Sequence, residues 1–220
     1  NRLLDVGFEK STLILDGDPA FDNFYDENEN DIIFKSDPKK IKILFCPTPM
    51  HEHGWLTKIE EDNLILKIIR EIIKEPQYEI SLKIHPSSSS YDEYELLLKS
   101  LNQSIKLFQK ENVMSLLKEF DVMLTYGSSN VILNGILSKK PIVLFNFDQK
   151  NQLSRLSDSE IIKECDRITE LRAQISSSIK NTASQEIFDN YIKTQIGTFD
   201  GKTSERIANH IQELLQTKNN

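Results

Sequence analysis

The chain has 220 residues, of which 38% are hydrophobic and 28% charged, and this length predicts one domain or one domain with part of another. Its formal net charge of −7 leaves no excess of Lys and Arg to neutralise a phosphate backbone, which excludes nucleic acid as a general partner. The two cysteines, Cys46 and Cys165, lie far apart without a CxxC neighbour, so we predict reduced thiols rather than a disulfide framework or a zinc site.

The first forty residues hold short elements and a polar stretch. They predict a helix that ends at Gly7, a strand over residues 12–15 and a turn over 17–19. Residues 25–40 are dominated by Asp, Glu, Asn and Lys, which indicates a linker or a surface excursion. Because the chain lacks a starting Met, a signal pattern and any run of ~18 apolar residues, we expect a fragment of a cytoplasmic protein.

Strands and helices alternate over the next hundred residues. The patterns predict strands over 41–46, 79–84, 105–108, 122–125 and 141–145, and helices over 58–74, 91–101, 112–119 and 131–137. This alternation predicts an α/β fold with a doubly wound, Rossmann-like parallel sheet. After it come C-terminal helices, predicted over residues 159–180, 184–193 and 203–215.

The segment from Asp121 to Phe145 is one βαβ unit with a polar turn between its first strand and its helix. In a parallel sheet this turn lies at the carboxyl edge, where ligands bind and where the first helix amides can hold an anion. The candidate phosphate-binding residues of the turn are Gly127, Ser128, Ser129 and Asn130. The serines are equally ordinary helix caps, and because capping and phosphate binding use the same amides, neither interpretation excludes the other.

Three further loops follow predicted strands and reach the same edge. The first contains Thr48, and the third runs from Phe108 to Asn112 and is our candidate for backbone contacts to a nucleotide base. Between them, His85 ends its strand before Pro86 and has the chemistry of a phosphate ligand or a general acid or base. A surface histidine before a helix is an equally good interpretation of the same pattern.

The loop after the strand over 41–46 also carries His51, Glu52 and His53. Two loop histidines without a third ligand are weak evidence for a metal, so no metal site is predicted. Trp55, in the same loop, either stacks on a base or anchors the loop.

A capped helix start is predicted near the C-terminus. Lys202 and Arg206 lie where their charges oppose the helix dipole, which suggests a ligand-binding role for Lys202 and Thr203. The structural alternative is an ordinary cap on a helix that packs on the core through Ile207, Ile211, Leu214 and Leu215.

Together these motifs resemble the GT-B glycosyltransferase superfamily and, within it, the CDP-glycerol glycerophosphotransferases of teichoic-acid synthesis. The matching residues are Pro47-Thr48, Lys83-Ile84-His85-Pro86, residues 121–129 with Lys140-Pro141, and residues 200–206. Residues 17–22 are similar to the hinge of this superfamily and of UDP-GlcNAc 2-epimerases. The chain differs in two places: the family's Asp before Tyr-Ser-Ser has no counterpart beside Gly127, and Pro49-Met50 replaces an arginine.

The resemblance implies that residues 1–37 are the tail of an N-terminal acceptor domain with the interdomain linker, and that residues 38–220 are the donor-binding half, the C-terminal half of a GT-B fold. It implies that His85, the candidate catalytic residue, contacts the donor diphosphate together with Ser128 and Ser129. The partners would be a nucleotide-activated donor and the missing N-terminal domain.

The implied reaction moves a glycerol-phosphate or sugar group from a CDP- or CMP-linked donor to a cell-surface glycan or polyol-phosphate acceptor. It requires no cofactor or metal, and it implies peripheral association with the inner face of the membrane. The alternatives are a capsule-type CMP-sugar transferase for sialic acid or Kdo, a non-catalytic nucleotide- or glycan-binding module and, ranked last, a UDP-GlcNAc 2-epimerase-like enzyme or hydrolase.

Overall fold

The computed structural model describes residues 2–25, 40–86, 91–101, 103–127, 130–147 and 160–217. The strands of its central sheet are β1 Ile41–Pro47, β2 Tyr78–Lys83, β3 Lys106–Phe108, β4 Val122–Tyr126, β5 Ile142–Phe145 and β6 Ile162–Cys165. Every neighbouring pair is parallel, and the spatial order is β3-β2-β1-β4-β5-β6. This order is that of a doubly wound Rossmann-like sheet, so the predicted fold class is confirmed.

A helix follows each of five strands. These helices are α2 Lys58–Ile72 after β1, α3 Tyr91–Lys99 after β2, α4 Val113–Leu117 after β3, α5 Val131–Leu137 after β4 and α6 Leu171–Lys180 after β6. The longest of them, α2, begins with a capping box in which Thr57 and Glu60 satisfy each other's backbone amides. None of the helices in the described ranges is long and apolar enough to cross a bilayer.

The main core lies between one face of the sheet and helices α2, α3 and α6. Alternate strand residues point to this face, including Ile43, Phe45, Leu82 and Leu124. Isoleucines at helical spacing along α2 meet them, and these are Ile65, Ile68, Ile69 and Ile72. All five residues of β4 are buried, as expected of a central strand that is covered on both faces.

Two predicted elements are wrong. The helix predicted over 159–180 is, in its described part, strand β6 followed by a 3-10 turn and then α6. The sequence of β6 is Ile-Lys-Glu-Cys, and so short a segment with two charged residues carries no clear strand period. In place of the strand predicted over 12–15, a 3-10 turn over Lys10–Thr12 leads to exposed Ile14 and Leu15.

The chain divides into two compact units. The sheet unit is Ile33–Phe188, and the terminal unit combines Asn1–Ile32 with Asp189–Asn220. The remaining helices are α1 Arg2–Asp5, which ends before Gly7 as predicted, α7 Gln185–Tyr191 and α8 Thr203–Thr217. The assignment of residues 1–37 and 38–220 to acceptor and donor roles stays a prediction.

Candidate functional site

The order of the strands reverses between β1 and β4, which lie side by side with Pro47 opposite Tyr126. In an open α/β sheet, the crevice at the carboxyl ends of two such strands is the preferred ligand site. The loop after β1 and the turn after β4 border this crevice. Both were predicted to belong to the site, and the strand order places them next to each other.

A short hydrogen bond joins the two segments. Thr48 is 3% exposed, and its hydroxyl donates to the carbonyl oxygen of Tyr126 at 2.6 Å. Beyond Thr48 the loop folds on itself, because the amides of Met50 and Trp55 donate to the carbonyl oxygens of Thr48 and Met50 at 2.8 and 2.9 Å. The side chain of Thr48 therefore fixes the position of the loop, and a direct contact with a ligand stays a prediction.

Glu61, near the start of α2, binds the same loop from the interior of the protein. Its side chain is 2% exposed, and its Oε1 accepts from the amide of Met50 at 2.7 Å and from the hydroxyl of Tyr126 at 3.3 Å. Burial raises the pKa of the Glu61 carboxyl, while these hydrogen bonds act in the opposite direction. Burial and the nearby Glu61 raise the pKa of Tyr126 well above its usual range.

Sequence reasoning missed both Glu61 and the hydroxyl of Tyr126. A signal for Glu61 was present, since it lies four and seven residues before Ile65 and Ile68, on the helix face that is buried. A carboxylate on a buried face requires hydrogen-bond donors, and the loop after β1 supplies one of them.

Gly127 lies against the side chain of Met50, so the residue type at one position limits the residue type at the other. Gly127 has a φ of +67°, and a Cβ atom added to it would come 2.1 Å from Cε of Met50, whose side chain is 3% exposed. The two places where the chain differs from the glycerophosphotransferase pattern are thus in contact. Met50, in the loop after β1, fills the space that a side chain at position 127, in the turn after β4, would need.

The rest of this turn is described only in part. Ser128 and Ser129 lie outside the described residues, so their predicted contacts with a diphosphate stay predictions. Asn130 is exposed directly before α5, and its side chain caps no amide in the described part of that helix.

At the end of β2, His85 is exposed at the same edge of the sheet. The preceding Lys83 is only 3% exposed, and its Nζ donates to the carbonyl oxygens of Ile84 and Gln109 at 2.9 and 2.8 Å. Burial lowers the pKa of Lys83, and the acidic groups of Cys46 and Glu111 act against this shift. Lys83 therefore ties the segment that presents His85 to the loop after β3.

The side chains of the loop after β3 have structural contacts. Phe108 is 5% exposed and packs edge-on against Phe120 at 6.2 Å between ring centroids, so its ring is covered. The side chain of Asn112 caps α4 by accepting from the amide of Ser115 at 3.2 Å. The predicted base contact, which uses the backbone, is compatible with both arrangements and stays a prediction.

Lys202 and Thr203 belong to the terminal unit, whereas the other candidates belong to the sheet unit. The amides of Thr203 and Ser204 donate to the two carboxylate oxygens of Asp22 at 3.0 and 2.7 Å. These hydrogen bonds lower the pKa of Asp22 to about 2. Asp22 thus occupies the anion position at the start of α8, and the binding role of Lys202 and Thr203 stays a prediction.

The charge of Arg206 near this helix start has an internal partner. Its Nη1 donates to both oxygens of Asp200 at 2.8 and 2.7 Å, and its Nη2 donates to the carbonyl oxygen of Asp16 at 2.7 Å. Four apolar residues were expected to pack α8 on the core. Ile207 is partly buried, whereas Ile211, Leu214 and Leu215 are more than half exposed.

Metal-binding groups do not cluster in the described part of the chain. Within those ranges, no three His, Cys, Asp or Glu side chains lie close enough together to hold an ion.

No family model and no curated protein matches the sequence. Among solved structures, this chain is similar to the Methanocaldococcus jannaschii UDP-GlcNAc 2-epimerase in complex with UDP-GlcNAc and UDP. The alignment covers 97% of this chain and 58% of the epimerase chain, with a TM-score of 0.63 and 18% sequence identity. It is also similar to the S. aureus MnaA-UDP co-structure. That alignment covers 97% of this chain and 56% of the MnaA chain, with a TM-score of 0.62 and 18% sequence identity.

The chain is also similar to the spinosyn forosaminyltransferase SpnP. This alignment covers 80% of this chain and 45% of the SpnP chain, with a TM-score of 0.51 and 13% sequence identity. The chain shares the Rossmann-like α/β fold of the matched part of these proteins. At such low identity the likeness establishes the fold alone. The chain spans little more than half the length of the first two of these structures.

Proposed function

We propose that the sheet unit binds the diphosphate of a nucleotide-activated donor at the crevice between β1 and β4, as the donor half of a transferase. The observation that carries this proposal is that hydrogen bonds fix the loop after β1 and the turn after β4 next to each other, at the point where the strand order reverses. Thr48 joins them, Glu61 holds the loop, and Gly127 keeps the turn free of a side chain. Such a preorganised edge suits a ligand whose phosphates approach the backbone closely.

In the proposed reaction, negative charge develops on the phosphate of the departing nucleotide. The backbone amides of residues 127–130, with Ser128 and Ser129, stabilise that charge, and His85 donates a hydrogen bond or a proton from the end of β2, on the other side of β1. Preorganised donors stabilise a developing charge without reorganisation, and the proposed role needs no metal. The other half of the enzyme binds the acceptor, a glycan or polyol phosphate, and supplies the catalytic base.

Two observations point to different donor bases. The motif resemblance favours a CDP- or CMP-linked donor that carries glycerol phosphate or a sugar, as in teichoic-acid or capsule synthesis. Two of the structural neighbours were solved with UDP, and one of these, a UDP-GlcNAc 2-epimerase, also with UDP-GlcNAc. Calorimetry of the 220-residue chain with CMP, CDP and UDP separates these cases. Binding of CDP or CMP supports the cytidine-linked donor, and binding of UDP alone favours an epimerase-like enzyme on UDP-GlcNAc.

The proposal fails if a folded chain binds none of the three nucleotides. Binding with no transfer by the complete enzyme would indicate the non-catalytic nucleotide-binding module.

His85 has its own test. We expect His85→Ala to weaken nucleotide binding by about tenfold, because a charge-assisted hydrogen bond to phosphate is lost. The control is Lys99→Ala, which removes an exposed cation at the C-terminal end of α3 that pairs with Glu95. Equal affinities of the His85 variant and the unmodified chain would remove His85 from the site.

A further inference from the structure

The loop between β1 and α2 presents the single tryptophan of the chain to solvent. Trp55 is 53% exposed, and its ring centroid lies 5.4 Å from that of His53 at an interplanar angle of 42°. An aromatic side chain of this size contributes most to stability when it is buried. About half of the side-chain surface is therefore available to a ligand.

Several hydrogen bonds hold the backbone of the loop that carries Trp55. Glu61 and the hydroxyl of Thr48 hold the first part of the loop, and main-chain hydrogen bonds close the remainder, from Gly54 to His51 at 2.9 Å and from Trp55 to Met50 at 2.9 Å. The backbone beneath the indole is thus fixed by groups other than the indole. A rigid support with an exposed aromatic face is the arrangement of a binding surface, because little conformational entropy is lost when a ligand docks.

The residues around the indole indicate the class of ligand. The ring of His53 lies next to the indole, and His51 and Glu52 are exposed in the same turn of the loop, where Nδ1 of His51 lies 3.3 Å from the carbonyl oxygen of Leu56. The loop therefore exposes an aromatic face together with imidazole and carboxylate groups. A pyranose ring has a matching surface, with an apolar C–H face and a rim of hydroxyls that need donors and acceptors. The carboxylate disfavours a nucleotide phosphate at the same place, because like charges repel.

We propose that Trp55, with His51, Glu52 and His53, binds a pyranose ring. The ring is either the sugar of the donor or a residue of the acceptor glycan, and the location of this surface beside the donor crevice rests on the proposed function. Trp55 thereby contributes to the choice of sugar and leaves the nucleotide contacts to the rest of the crevice.

Because Trp55 is the only tryptophan, its fluorescence reports directly on this surface. The 220-residue chain is titrated with UDP, UDP-GlcNAc, CMP and CMP-sialic acid, and separately with the free disaccharides chitobiose and maltose. If the donor sugar is bound, a nucleotide sugar changes the emission and its nucleotide alone does not. If the acceptor is bound, a free disaccharide changes the emission without any nucleotide. Unchanged emission with every saccharide overturns the proposal.

Affinities of variants complete the test. Trp55→Ala is expected to weaken binding of the responding saccharide by about tenfold, roughly the loss of one good aromatic contact, while Trp55→Phe retains most of it. Ile59→Ala, which truncates a 74% exposed apolar residue on α2, is the matched control. Equal saccharide affinity of Trp55→Ala and the control would refute the assignment.

The outcome is independent of the donor site. Calorimetry that detects nucleotide binding without any effect of Trp55→Ala on saccharide affinity rejects the sugar surface alone. Saccharide binding through Trp55 in a chain that binds no nucleotide rejects the donor site alone.

Discussion

The sheet unit and the terminal unit each contain a carboxylate that accepts from backbone amides, and the pKa values of these two carboxylates shift in opposite directions. Glu61 accepts from the amide of Met50 in the interior, and its pKa is raised because desolvation exceeds the effect of its hydrogen bonds. Asp22 accepts from the amides of Thr203 and Ser204 close to solvent, and its pKa falls to about 2 because hydrogen bonding dominates. The hydrogen bonds favour the ionised carboxylate in both units, and the extent of burial decides the direction in which the pKa moves.

The difference has consequences for the candidate site. In the terminal unit the amides at the start of α8 already have a bound carboxylate, whereas in the sheet unit the carboxylate holds the loop from inside. The carboxyl edge of the sheet thus has a loop that is held firmly and still exposes Trp55 and its neighbours. This contrast favours the sheet edge as the site for an external ligand.

Removing the buried carboxylate is expected to have the largest effect. Glu61→Ala leaves the amide of Met50 and the hydroxyl of Tyr126 without their acceptor, and we expect a loss of about 2–3 kcal/mol in the free energy of unfolding. Urea denaturation followed by circular dichroism measures this loss, and calorimetry is expected to show weaker nucleotide binding. A loss no larger than that of an exposed substitution such as Glu95→Ala would contradict the anchoring role.

Glu61→Gln separates hydrogen bonding from charge. A carboxyl whose folded pKa is raised stabilises the fold fully below its ordinary pKa of 4.5, and this contribution is lost as the pH rises through the folded pKa. The stability of Glu61→Gln relative to the unmodified chain should therefore increase as the pH rises above 4.5. A difference that does not vary with pH, measured by urea denaturation between acid and neutral conditions, would show that the charge is not desolvated.

Gly127→Ala is expected to have an intermediate effect on the sheet edge. The positive φ and the displacement of the Met50 methyl group together cost about 1–2 kcal/mol of unfolding free energy. In a Met50→Ala background the steric part disappears, so the cost of Gly127→Ala should fall there. Thermal denaturation of the four proteins of this double-mutant cycle gives the coupling, and equal costs in both backgrounds would mean that the two residues do not interact.

The smallest effect is expected in the terminal unit. Asp22→Asn retains one acceptor oxygen but loses the charge, so only a modest loss of stability is predicted near neutral pH. Because the folded pKa of Asp22 is lowered from 3.8 to about 2, its contribution is present above the unfolded value and is lost as the pH falls through this range. The gap between the unmodified chain and Asp22→Asn should therefore close between these two pH values, and a constant gap would contradict the assignment.

Local pattern predicted most of the sheet unit. The helix over Val131–Leu137 has the predicted bounds, and strands β1 and β4 each extend one residue beyond theirs. Strand β6 was missed because its four residues alternate too little to be recognised, and its pairing with β5 is a non-local contact. Of the predicted site residues, Thr48, His85, Phe108 and Gly127 follow or end neighbouring strands at one edge of the sheet.

The sequence by itself determined the alternation of strands and helices and the polar turns at the strand ends, because both follow from hydrophobic period and turn chemistry within a few residues. Only the tertiary structure decided that Glu61 supports the site, since its donors lie 11 and 65 residues away in the chain. The same holds for Gly127, whose missing side chain is understood only from the methionine that strand order places against it. Such choices depend on which strands become neighbours, a property that no local pattern contains.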